Sequence, residues 1–126
     1  MKNLLFIMLL SSSVFVSSDM GMSEITKAIK AGDASTLAQY FDKDVELTIL
    51  DEVNILSKSE AKAAVNTFFT DHQPKSYTQV HEGKSKGAGG QYTIGNLSTD
   101  AGKFRVYLYM RVENGKYFIQ ELRFEE

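Results

Sequence analysis

The chain contains no cysteine. Disulfide frameworks, thiol nucleophiles, thiolate metal sites and a lipid-modified cysteine behind a leader are thereby excluded, and the fold must be held by its own core. Histidine is scarce: His72 and His81 are the whole stock. Proline occurs once, as Pro74. There is no basic excess either, since the formal charge is −2, so the electrostatic footprint of a nucleic-acid binder is missing. No apolar run approaches the roughly 20 residues that span a bilayer. Repeats, low-complexity tracts and linkers are likewise absent. What is present is ordinary: 43% apolar and 24% charged residues in 126, the composition of one globular domain.

The amino terminus is unlike the rest. MKNLLFIMLLSSSVFVSSDM opens on Lys2, runs apolar from Leu4 to Leu10 and then turns small and polar. A charged start, a short apolar stretch and small residues before a cut describe a secretory signal peptide. Val16 and Ser18 stand at −3 and −1 of a cleavage after Ser18. Residues 1–18 are therefore expected to be a leader. Residues 19–126 are expected to be a single secreted or periplasmic domain with no membrane association in the mature form.

Periodicity then divides the chain. In SEITKAIKAG, Ser23 is a candidate N-cap, Ile25, Ala28 and Ile29 recur at helical spacing, and Gly32 is a stop. Asp33 would cap a second short helix, with Leu37, Tyr40 and Phe41 on its apolar face. Val45, Leu47 and Ile49 alternate with Glu46 and Thr48, the pattern of a half-buried strand. Asp51-Glu52 reads as a turn, and Val53–Ile55 as a returning strand. Ser57 and Glu60 form an S-x-x-E capping box. Behind it, Ala61, Ala64, Val65, Phe68 and Phe69 line one face of a third helix that Pro74 prevents from continuing. Four strands follow, 76–85, 91–98, 102–113 and 116–126, the last two joined by the hairpin signal Asn114-Gly115. The expected class is α+β: three N-terminal helices on a curved, mainly antiparallel sheet.

This order of elements resembles the nuclear transport factor 2-like cone, a cystatin-like α+β arrangement in which a curved sheet wraps helices around a cavity. His81-Glu82-Gly83, Tyr92-Thr93-Ile94-Gly95 and Phe104-Arg105-Val106-Tyr107 resemble, more narrowly, a family of small secreted Gram-negative bacterial proteins of unknown function. The resemblance implies a fold and no established reaction.

Motifs with chemistry fail one by one. Gly83-Lys84-Ser85 echoes a phosphate loop, but Thr78 stands where its first glycine belongs and glycines follow where a helix should. His81-Glu82 echoes a zinc-protease helix, but Ser85 replaces the second histidine. Asp42 to Leu47 lacks the central glycine of a calcium loop. Asn96-Leu97-Ser98 fits a glycosylation acceptor of eukaryotic secretion. No metal and no cofactor is expected. His72, at a helix carboxyl end, suits a capping role.

His81 is the residue of interest. On a regular strand it shares a face with Tyr77 and Gln79. If that face is interior, Tyr77, His81, Tyr92, Glu121 and Arg123 could line a polar cavity and hold a small-molecule ligand. Glu121 and Arg123 enter because the Asn114-Gly115 register carries two charges onto the core face, unless a β-bulge near Gln120 turns them out. On β-strand 102–113, Arg105, Tyr107, Tyr109 and Arg111 form a second face with the composition of a homodimer interface. The leading expectation is a non-enzymatic ligand-binding or protein-interaction module. The alternative is a small lyase or isomerase of the cone type, with a polar cavity around His81.

Overall fold

The computed structural model describes residues 20–85 and 89–126; the expected leader, residues 1–18, lies outside them. The chain runs α1 (Met20–Ala31), α2 (Ala34–Ala38), β1 (Phe41–Ile49), β2 (Glu52–Ser57), α3 (Lys58–Asp71), β3 (Pro74–Lys84), β4 (Gly90–Thr99), β5 (Gly102–Glu113) and β6 (Lys116–Glu125). All six strands join one curved sheet in the order β2-β1-β6-β5-β4-β3. Every pairing is antiparallel except β1 with β6. That parallel contact joins the early hairpin to the last strand.

Local signals place most boundaries. Gly32 ends α1 with φ +67, a left-handed conformation that costs glycine little. Asp33 caps α2, its Oδ1 accepting from the Thr36 amide at 3.0 Å. Ser57 caps α3, its Oγ accepting from the Glu60 amide at 3.3 Å. Glu60 answers by accepting from that hydroxyl at 2.7 Å, so the reciprocity runs side chain to side chain. At the other end the His72 amide and ring Nδ1 both meet the Phe68 carbonyl, and the ring stacks on Phe68 at 4.4 Å. His72 closes the helix and covers the core.

Three boundaries differ from expectation. Helix α1 begins at Met20, so Ser23 sits in its first turn instead of capping it. Helix α2 stops at Ala38, because Phe41 is already the first residue of β1. The third helix is not N-terminal: the hairpin β1–β2 separates it from the other two.

The helices cover one face of the sheet. Ile25, Ile29, Leu37, Val65 and Phe68 from the helices meet Leu97, Val106, Leu108, Met110, Ile119, Leu122 and Phe124 from the strands. Phe124 is fully buried, stacked on Phe68 at 4.2 Å and edge-on to Phe69 at 5.8 Å, geometry that adds to simple area burial. Strand glycines admit rings: a Cβ on Gly95 would lie 2.3 Å from the Tyr77 hydroxyl, and one on Gly83 2.5 Å from that of Tyr92. Tyrosine over glycine fills the gap that a strand glycine leaves. Among the described residues no helix is long and apolar enough to cross a membrane.

Candidate functional site

The faces of the sheet are set by two bulges. In β6 the pairing passes from Met110↔Ile119 to Tyr109↔Glu121, leaving Gln120 as an extra residue. The alternation inverts there, so Leu122 and Phe124 go inward and Glu121 and Arg123 outward. In β3 the pairing passes from Gln79↔Gly95 to His81↔Ile94, leaving Val80 extra. Tyr77 points inward and is buried, while His81 turns to the outer face and is exposed. A bulge costs one ladder position and reverses every side chain beyond it.

The five residues expected around an interior cavity are thus divided. Tyr77 alone is inside; His81, Tyr92, Glu121 and Arg123 stand on the opposite face, together with Arg105, Tyr107, Tyr109 and Arg111. Glu121 and Arg123 are turned out by the bulge at Gln120, the alternative that the sequence offers, and His81 by the bulge at Val80. Tyr92 stands outside by the plain alternation of β4. Two rows cross the outer face. The first runs His81, Ile94, Tyr107, Arg123, Thr48, Val53; the second runs Gly83, Tyr92, Tyr109, Glu121, Glu46, Ile55.

Within these rows the side chains touch. His81 Nε2 meets the Tyr92 hydroxyl at 3.0 Å. Tyr92 stacks on Tyr107 with centroids 6.4 Å apart. The Arg123 guanidinium lies 5.3 Å from the Tyr107 ring centre and pairs with Glu121. Tyr107's hydroxyl is harder to ionise than usual, through burial first and the Glu121 charge second. A parallel cluster forms around Arg111, whose guanidinium lies 4.4 Å above Phe118 and 3.6 Å from Asp42. Gln120, freed by its bulge, donates to Asp42 at 3.1 Å. Asp42 is partly buried, which raises its pKa, but the donors Gln120, the Lys43 amide and Arg111 outweigh burial and hold it below 3.8.

The inner face offers little polar chemistry. Burial pushes the Tyr77 pKa up to about 12, with Thr93 acting in the opposite direction. Neither hydroxyl has a partner of normal hydrogen-bond geometry. No carboxylate or imidazole is buried among the described residues, and none of their acidic or histidine side chains group as a metal site. The recesses are at the surface. One of about 570 Å³ opens where β3, β4 and the β5–β6 hairpin end, lined by Glu82, Gly83, Lys84, Ser85, Gly89, Gly90, Gln91, Val112 and Tyr117. Another of about 480 Å³ lies between α1 and β3 beside Tyr77, Gln79 and Glu82. Sequence reasoning missed Phe118, Ile94 and the Asp42–Gln120–Arg111 cluster, because each depends on strand order or on a bulge.

A curved sheet closed over helices on one side, with the order of elements seen here, defines a nuclear transport factor 2-like fold. Solved structures agree. An NTF2-like protein of unknown function from Cytophaga hutchinsonii is 8% identical, with a TM-score of 0.60 over 89% of this chain and 91% of that one. Two proteins are more similar, both of the DUF4783 family. That from Bacteroides uniformis is 29% identical, with a TM-score of 0.77 over 82% of this chain and 94% of its own. That from Bacteroides ovatus is 27% identical, with a TM-score of 0.77 over 82% and 93%. The DUF4783 model, a domain of unknown function, matches residues 22–125. The chain belongs to that family. No curated protein matches it.

Proposed function

We propose that this chain is an exported, non-enzymatic interaction module that associates with a second copy of itself through the outer face of its sheet. The observation that carries the reading is the continuous contact from His81 through Tyr92 and Tyr107 to Arg123 and Glu121. Tyrosine and arginine held rigidly on a broad surface are the side chains enriched at interface centres. Cations and acids alternate across it, with Arg105, Arg111 and Arg123 among Glu46, Glu113, Glu121 and Glu125. Such a mixed pattern suits a two-fold contact, in which one patch meets its own copy. A small-molecule ligand would find the recess beside Lys84 and Gln91. The lyase or isomerase alternative draws no support from an inner face that lacks buried acids and imidazoles among the described residues.

Light scattering on the exported protein tests this. The chain should begin at Asp19 by intact mass, and Tyr107→Glu, which sets a carboxylate beside Glu121, should halve the mass in solution. A mature wild-type chain that stays single at high concentration overturns the reading.

A further inference from the structure

The two edges of the sheet are built differently. Strand β3 is guarded: it opens on Pro74, its register breaks twice, and its exposed residues include Lys75, Glu82 and Lys84. Proline, bulges and lysines are the devices that stop an edge from pairing with another strand. Strand β2 has none of them. Its register with β1 is unbroken from Asp44↔Ser57 to Ile49↔Glu52, and the elements it chiefly packs against are β1 and α3. Val53 and Ile55 are 57% and 76% exposed, and Leu50 at the hairpin tip is 40% exposed. These are three of the five exposed large apolar side chains among the described residues, and all three lie in one eight-residue stretch ending at Ser57.

Leu50 adds a second observation. Its φ is +57, a conformation that usually goes to glycine because a side chain is strained there. An exposed leucine at a strained position points to a contact it makes elsewhere.

We infer that β2 is a pairing edge, and that its occupant is β2 of a second copy, antiparallel and centred on Asn54. The hairpin closes on Ile49↔Glu52 with a two-residue loop, so Glu52, Asn54 and Leu56 bond to β1 and Val53, Ile55 and Ser57 direct their amides and carbonyls outward. Centring on Asn54 sets Val53 against Ile55 twice, making one apolar stripe on the outer face. It also matches charge. Asp51 and Glu52 begin the strand, while its far end leads into a groove of about 680 Å³ lined by Lys43, Lys58 and Lys62. Antiparallel pairing brings each acidic end to the partner's lysine groove. The contact extends the sheet edge to edge from the β2 ends of the two outer-face rows. The outer-face association centres instead on Tyr92, Tyr107 and Arg123 across the middle strands, so both can coexist.

The cysteine-free chain permits a direct test. Asn54 would oppose its own copy in a non-hydrogen-bonded pair, where α-carbons approach to about 4.5 Å, within disulfide reach. Asn54→Cys should give a disulfide-linked dimer under mild oxidation, in the Tyr107→Glu background as well. Val80→Cys, on the guarded edge, should not. Ile55→Lys should halve the solution mass, and Ile55→Lys with Tyr107→Glu should leave a single chain. An Asn54→Cys protein no more cross-linked than Val80→Cys overturns the register. A mass unchanged by Ile55→Lys overturns the edge dimer itself, including the case where a strand from another protein is the true occupant. Loss of mass with Tyr107→Glu alone, by contrast, bears only on the outer face.

Discussion

Between Ile119 and Glu121 the pairing of β6 with β5 steps over Gln120, and two charges leave the core at the cost of one ladder position. Arg123 keeps 42% of its side chain in water, with Glu121 and Glu125 around it. Removing Glu121 therefore strands no buried cation. Glu121 is itself only 18% exposed, so Glu121→Ala should cost about 1 kcal/mol, the upper end for exposed pairs. A buried pair would lose roughly 3–5 kcal/mol when broken. A urea melt of this variant separates the two, and a loss in the higher range would mean that Glu121 faces inward after all. His81 follows the same logic on β3: its exposure and its bond to Tyr92 come from the bulge at Val80.

At the scale of elements, the hairpins contrast. Asn114 and Gly115 take φ +50 and +75, the left-handed pair that favours a tight hairpin and that Asn-Gly supplies at little cost. The β1–β2 turn places leucine in the same region. Its amide is used, donating to the Phe124 carbonyl at 2.8 Å, so glycine there would keep the bond and lose the strain. Leu50→Gly should stabilise the dissociated chain by about 1 kcal/mol while weakening association through β2. Denaturation at low concentration reads the first effect and light scattering the second. A variant less stable than wild type would show that the leucine side chain packs within its own chain.

For the whole molecule, acid should be the weak direction. Asp33 is held below 3.8 chiefly by the Thr36 hydroxyl at 2.6 Å, with the Thr36 amide adding to it. Asp42 is held below the same value although burial opposes it. A carboxyl whose folded pKa is depressed binds protons more readily when unfolded. Its stabilisation is present above its unfolded value and fades as pH falls through the lowered folded one. Urea midpoints should therefore decline below about pH 4, and Asp42→Asn should remove part of that decline. Midpoints that hold level down to about pH 2 would show that neither carboxyl is coupled to folding.

Much of this architecture was legible in the residues themselves. Ile25, Ala28 and Ile29, the Ser57–Glu60 cap, the alternation of Phe104 to Val112 and the Asn114-Gly115 turn are local patterns, read out within a few residues, and each formed the element it announced. The sides on which functional groups stand were not local. A strand repeats every two residues, so one unpaired residue, Val80 or Gln120, exchanges its faces. The charges at Glu121 and Arg123 marked Gln120 as a candidate, whereas nothing in the alternation of β3 marked Val80, whose bulge depends on how the sheet curves. The edges were not local either, since β2 is left open only because β1 turns its other side to β6 in the sheet's single parallel pairing. Sequence determined the elements, through short-range sterics and hydrogen bonding. The tertiary structure decided which face and which edge meet the outside, because those follow from how distant strands come to lie side by side.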